Sequence, residues 1–154
     1  MKVSDIMTVK VVTAEPETSV NLVAQLMDRG GLSGVPVVDG AGLLVGIVTE
    51  LDLIVRNQRL EPPAFFQLLD GRIPLETPGH YRKHLQHMLG THARDVMTEK
   101  VVTVGPDEEV EALAELMVKK EVNSVPVVEH GRLVGIVSRA DIIRMMARDL
   151  GGED

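Results

Sequence analysis

Two stretches of the chain place apolar residues at helical spacing. Val20, Val23, Ala24 and Met27 fall at i, i+3, i+4 and i+7, and so do Val110, Leu113, Ala114 and Met117. Each stretch predicts an amphipathic helix with one face turned to a core. Acidic residues precede both faces, Glu17 in the first and Asp107, Glu108 and Glu109 in the second, which suits the positive end of a helix dipole. Continuous apolar runs at 35–38, 43–48, 125–128 and 133–137 predict buried strands. Hairpin turns join them in pairs at Asp39-Gly40-Ala41-Gly42 and Glu129-His130-Gly131. Shorter β-branched runs at 9–13 and 100–104, each closed by a proline three residues after its Thr, predict a first strand ahead of each long helix. Closing helices are predicted over 51–56 and 140–150.

The order β-α-β-β-α thus occurs twice, and the residues repeat with it. Residues 5–40 align with 95–130 at an offset of 90, and sixteen of the 36 pairs are identical, among them Met7/Met97, Thr8/Thr98 and Val35-Pro36-Val37-Val38/Val125-Pro126-Val127-Val128. One residue is then missing from the second copy, at the hairpin turn, and 42–54 matches 131–143 with eight of 13 pairs identical. A register that loses length only at a turn marks a duplicated fold unit. The expected architecture is a mixed α/β (α+β) fold in which two β-α-β-β-α repeats, 1–56 and 93–150, pack about a pseudo-twofold axis and leave two related clefts. A single repeat of roughly 50 residues would bury too little surface to be stable alone, so the two are expected to share one core.

An insert, 57–92, separates the repeats, and 151–154 is expected to be a frayed tail. The insert holds every aromatic residue of the chain, Phe65, Phe66 and Tyr81, and a helix is predicted over 78–89 with a proline in its first turn. Aromatics gathered in one segment favour a packed element over a solvated linker.

Composition narrows the function. With no cysteine among 154 residues, disulfides, thiolate metal sites and a Cys nucleophile are excluded. A net charge of −7 argues against sequence-independent binding to nucleic acid or to an anionic membrane, and 2% aromatics leaves little for base stacking. No apolar run reaches the ~20 residues of a membrane span, and the acid at Asp5 comes too early for a secretion signal. A cytoplasmic protein is expected. There is no phosphate-binding Gly-x-x-x-x-Gly-Lys loop, no Gly-x-Ser-x-Gly elbow and no His-Glu-x-x-His, so no enzymatic activity and no cofactor are expected.

The sharpest candidate chemistry lies where each second strand hands over to its closing helix, Thr49-Glu50-Leu51-Asp52 and Ser138-Arg139-Ala140-Asp141. The pattern [ST]-x-x-[DE] is also that of a capping box. The same geometry offers a helix N-terminus to a phosphate, a hydroxyl beside it, and a carboxylate able to accept from both hydroxyls of a ribose. The loops Ser33-Gly34-Val35-Pro36 and Asn123-Ser124-Val125-Pro126 leave open backbone groups that could read a purine edge, or they are ordinary connections.

The succession Asp-x-Met-Thr, Val-Val-Thr-x-x-Pro, Val-Pro-Val-Val and Gly-Ile-Val-[ST]-x-x-Asp resembles the CBS domain, named for cystathionine β-synthase, in both copies. The resemblance implies a tandem pair (Bateman module) that senses AMP, ADP, ATP, S-adenosylmethionine or NAD in clefts shared between the repeats. It further implies a homodimer that passes the bound state to an effector protein. By that analogy Thr49 and Asp52 face Val102, Thr103 and Asn123, Ser124, Val125 and Pro126. Ser138, Arg139 and Asp141 face Val12, Thr13 and Ser33, Gly34, Val35 and Pro36. Asp would hold ribose and the hydroxyl would sit near phosphate. Arg139 in place of Glu50 would make the Asp141 site the better one for phosphates. Two other readings stay open. One is an interaction module with unoccupied clefts. The other is a metal-responsive module using His80, His84 and His87, which share one face of the predicted insert helix but have no evident acid to orient their rings.

Overall fold

The computed structural model describes residues 1–57 and 91–151. The first half holds α1 (Val3–Ile6), α2 (Val20–Gly30), β1 (Gly34–Val38), β2 (Leu44–Thr49) and α3 (Glu50–Asn57). The second repeats the order with α4 (Ala93–Val96), α5 (Val110–Lys120), β3 (Ser124–Glu129), β4 (Arg132–Ser138) and α6 (Arg139–Leu150). The long helices form as their periodicity predicts: α2 buries Val20, Val23 and Met27, and α5 buries Val110, Leu113 and Met117. Ser19 caps α2 by accepting from the Leu22 amide at 3.2 Å.

β1 and β2 form one antiparallel ribbon and β3 and β4 another, with the register shift at the same place in each, Val37/Val38 and Val127/Val128. The missing residue of the second copy is accounted for by turn chemistry. His130 (φ 53°) and Gly131 (φ 77°) make a two-residue loop with both residues left-handed, the geometry that matches strand twist. In the first ribbon Asp39 Oδ1 instead accepts from the amides of Ala41 (2.9 Å) and Leu43 (3.0 Å), closing a longer loop. The tips of the two hairpins meet, with the Arg132 guanidinium donating to the Ala41 carbonyl at 3.0 Å.

The α+β architecture of two repeats is as expected, but its first strands are not. The first strands at 9–13 and 100–104 do not form. Each is reduced to a single parallel bridge, Ala14 with Val37 and Val104 with Val127. Both runs have strand propensity but no neighbour along most of their length. Val9 and Val12 remain 68% and 40% exposed.

The core also differs from expectation. Among the described residues there are two apolar clusters, one in each half. They are not independent, because the short N-terminal helices are exchanged. Val3 of α1, with Ile6 and Met7 packed against it, belongs to the cluster of α5, β3 and β4, while Ala93 and Val96 of α4, with Met97, complete that of α2, β1 and β2. Backbone pairing follows the exchange: Thr8 bridges Ile136 in both directions (2.9 and 3.0 Å), and Thr98 bridges Ile47 (2.8 and 3.0 Å). Each half is thus finished by a segment from the other's sequence.

The exchange explains the glycine of each Gly-Ile-Val motif. A Cβ on Gly46 would run into the side chain of Met97, and one on Gly135 into Met7 and the Thr8 carbonyl. Overpacking of this kind costs about 1–3 kcal/mol. Gly135→Ala is therefore expected to lower the melting temperature by several degrees, with Met7→Ala in the same chain restoring part of the loss. An unchanged melt for Gly135→Ala would contradict the packing. The expectations for the insert, namely the aromatics Phe65, Phe66 and Tyr81, the helix over 78–89 and a metal on His80, His84 and His87, lie outside the described residues.

Candidate functional site: two clefts between the repeats

The two strand-to-helix handovers are capping boxes of matching form. At the start of α3, Asp52 accepts from the Thr49 amide (2.9 Å) and hydroxyl (3.0 Å), while Thr49 Oγ1 accepts from the Asp52 amide at 3.3 Å. At the start of α6, Asp141 accepts from the Ser138 amide (2.7 Å) and hydroxyl (3.0 Å). The two carboxylates then part company. Asp52 is buried and also receives the Thr98 hydroxyl, at 3.2 Å to Oδ1, which ties α3 to the exchanged segment after α4. Asp141 instead takes Arg144 one turn along its own helix, at 3.0 Å to Oδ1. The position in α3 aligned with Arg144 is Val55, and Arg56 follows it.

Two clefts of about 450 Å³ each open between the repeats. Thr49 lies in the first with Val102, Asn123 and Ser124 of the other repeat. Ser138, Arg139 and Asp141 lie in the second with Val12, Ser33 and Gly34. Residues of both repeats thus line each cleft. Other candidates sit elsewhere. Asp52 lies behind the wall of the first cleft and does not line it. Val35 and Val125 are fully buried in the two clusters. Pro36 and Pro126 are buried in β1 and β3, with their carbonyls taken by the amides of Ala14 (2.9 Å) and Val104 (3.1 Å). Thr13 and Thr103 are exposed and outside both linings.

The linings also include residues that sequence reasoning did not single out. Lys100, Val101 and Glu121 line the first cleft, and Lys10, Val11 and Arg144 the second. Lys10/Lys100 and Val11/Val101 are identical pairs of the repeat, which was a usable signal. Of the runs misread as strands, residues 10–12 and 100–102 are cleft walls. Ser33, Glu50, Asn123 and Ser124 line both clefts, and the hydroxyls of Ser33 and Ser124 are hydrogen-bonded across the boundary between repeats. One thin partition thus separates the two spaces.

Two exchanged α+β repeats enclosing a pair of symmetry-related clefts define a tandem small-molecule-sized module. The chain belongs to the CBS domain family, whose profile matches residues 3–57 and 93–148. An uncharacterized protein of Methanocaldococcus jannaschii is 34% identical over 95% of this chain and 91% of its own length. The crystal structure of CBSX2 in complex with AMP shares the fold, with a TM-score of 0.78 over 96% of this chain and 97% of that one at 24% identity. The CBS domain pair of protein MJ0100, solved in complex with 5′-methylthioadenosine and S-adenosyl-L-methionine, is 27% identical with a TM-score of 0.70, covering 97% and 98% of the two chains. Among the described residues no helix is long and apolar enough to cross a membrane, and no group of three or more His, Cys, Asp or Glu could hold a metal ion.

Proposed function

We propose that this chain is a non-catalytic regulatory module that takes adenosyl compounds in its two clefts and reports their presence to a partner. The observation that carries the reading is the construction of the clefts. Each sets a capped helix start from one repeat against a wall and loop from the other, so a ligand would touch both repeats at once. A ligand that touches both can favour one arrangement of the pair over another, by as much as it binds the two differently. The related MJ0100 pair, with its two adenosyl ligands, supports this chemistry. In the Asp141 cleft the carboxylate is the ribose acceptor, and Ser138, the α6 N-terminus and Arg139 face the phosphate end. Mass spectrometry of the small molecules released on denaturing the purified protein tests the reading. An adenosyl compound is expected. A protein that releases none, and whose melt is unmoved by AMP, ATP and S-adenosylmethionine, would leave only an interaction module with unoccupied clefts.

We also propose a homodimer through the closing helices. Leu51 and Ile54 on α3 and Ile143, Met146 and Leu150 on α6 are 53–78% exposed, a density of large apolar groups that monomer surfaces rarely carry. Ile143→Glu is expected to shift the protein from dimer to monomer in light scattering after size exclusion. A parent that is already monomeric would remove the proposal.

A further inference from the structure

The two clefts have similar volumes, about 450 Å³ each, and linings of opposite formal charge. The Thr49 cleft is lined by one cation, Lys100, against two carboxylates, Glu50 and Glu121. The Ser138 cleft is lined by three cations, Lys10, Arg139 and Arg144, against two carboxylates, Glu50 and Asp141. Glu50 and Lys10/Lys100 are common features, so the difference comes from Glu121 on one side and from Arg139 and Arg144, partly offset by Asp141, on the other. The helix starts add to it. The first turn of α3 carries Glu50 and Asp52, which offset its positive dipole end, whereas the first turn of α6 carries Arg139 beside Asp141.

Glu121 itself gives a second, independent observation. It ends α5 in the left-handed region, at φ 54° and ψ 45°. The aligned residue ending α2 is Gly31, at φ 59° and ψ 38°. The backbone needs this conformation in both repeats, and glycine adopts it without a Cβ clash. A glutamate there holds a strained conformation, and strain of that kind gathers at functional positions. Here it places a carboxylate in the lining of the Thr49 cleft where the other cleft has Gly31.

We propose that the clefts sort adenosyl ligands by charge. The Ser138 cleft takes phosphorylated adenosines, and the Thr49 cleft takes uncharged or cationic ones and rejects phosphate, with Glu121 as the residue that decides. The proposal rests on the adenosyl-ligand reading above and adds to it a different ligand class for each cleft. One protein would then read two different pools, for example a nucleotide and a sulfonium or thioether nucleoside, on the two sides of the partition formed by Ser33, Asn123 and Ser124.

Calorimetric titration of the full chain with AMP, a dianion, and with 5′-methylthioadenosine, which is uncharged, tests it. AMP is expected to fill one site per chain tightly and the second about tenfold or more weaker, the effect of a unit charge at ~6 Å in partly solvated surroundings. 5′-Methylthioadenosine is expected to show no such split. Glu121→Gln is expected to tighten the weak AMP site about three- to tenfold and to leave 5′-methylthioadenosine within about twofold. Glu121→Gly is expected to do the same while relieving the backbone, so a poorly folding Gln variant would not decide the matter. Arg139→Gln is expected to weaken the tight AMP site. Raising the salt concentration is expected to narrow the gap between the two AMP sites. Two equal AMP sites in the parent, or a weak site unmoved by both Glu121 variants, would overturn the sorting while leaving the adenosyl reading intact. A parent that binds neither compound would instead remove that reading and the sorting with it.

Discussion

Asp141→Asn is expected to shrink the stabilisation that an adenosyl ligand gives, whereas Asp52→Asn is expected to weaken the protein before any ligand is added. A ligand at about 100 times its Kd contributes roughly 2.7 kcal/mol per occupied site. For a protein of this size that is a rise of roughly 5–10 °C in Tm. Asp141 lines its cleft, and a carboxylate accepting from both ribose hydroxyls contributes roughly 1–3 kcal/mol to binding. The bonds that Asp141 accepts from the Ser138 amide and hydroxyl match those of Asp52 to Thr49, so their loss is common to both variants, and the Arg144 pair, with one mostly exposed partner, adds about 1 kcal/mol at most. Asp52 differs. It is 8% exposed and accepts from the Thr49 amide and from the hydroxyls of Thr49 and Thr98. An amide in its place puts an NH2 where one carboxylate oxygen met donors, at a cost of about 1–3 kcal/mol. Melting curves of both variants and the parent, with and without AMP and S-adenosylmethionine, separate the two roles. Equal losses of ligand response from both variants, with both ligand-free melts unchanged, would show that Asp52 reaches the ligand as Asp141 does and that its bond to Thr98 is dispensable.

The difference between these two aspartates shows where sequence reading stops. Both sit in the same motif, at aligned positions, and their capping geometry is local, so it was legible. What distinguishes them is not local to the motif. Thr98 is 46 residues away in sequence from Asp52, and only the fold brings its hydroxyl there. The long helices, the two ribbons and the hairpin deletion were legible for the complementary reason. Periodicity over α2 and α5 and the turn residues at 39–42 and 129–131 act within a few residues of each other. The runs at 9–13 and 100–104 were misread because β-branched composition reports that a segment suits a strand, not that a neighbour exists to pair with. Their real use, as cleft walls, depends on contacts with the opposite repeat.

The exchange of α1 and α4 was the least legible feature. Met7 and Met97 are identical and their repeats are alike, so either could pack on its own repeat or on the other with equal local consistency.

The same exchange gives the largest expected loss of stability and an unusual place for it. Val96 is fully buried in the cluster of α2, β1 and β2, although its sequence belongs to the second repeat. Val96→Asp puts a carboxylate into the apolar cluster that holds Val20, Val23, Val35 and Val48. A buried charge without a partner costs at least ~3–5 kcal/mol, a large part of the 5–15 kcal/mol that holds a domain together. The expected fall in Tm is about 10 °C or more at this chain length. Val9→Asp, at a position 68% exposed, is the control and is expected to change stability by no more than about 0.5 kcal/mol. The location of the damage tests the exchange itself. In hydrogen exchange, Val96→Asp is expected to deprotect the amides of β1 and β2 more than those of β3 and β4. Val3→Asp is expected to do the reverse, because Val3 is fully buried in the cluster of β3, β4 and α5. Were each substitution to deprotect the ribbon of its own repeat, the N-terminal helices would pack at home. The bonds of Thr8 to Ile136 and of Thr98 to Ile47, and with them the walls of both clefts, would then have to be redrawn.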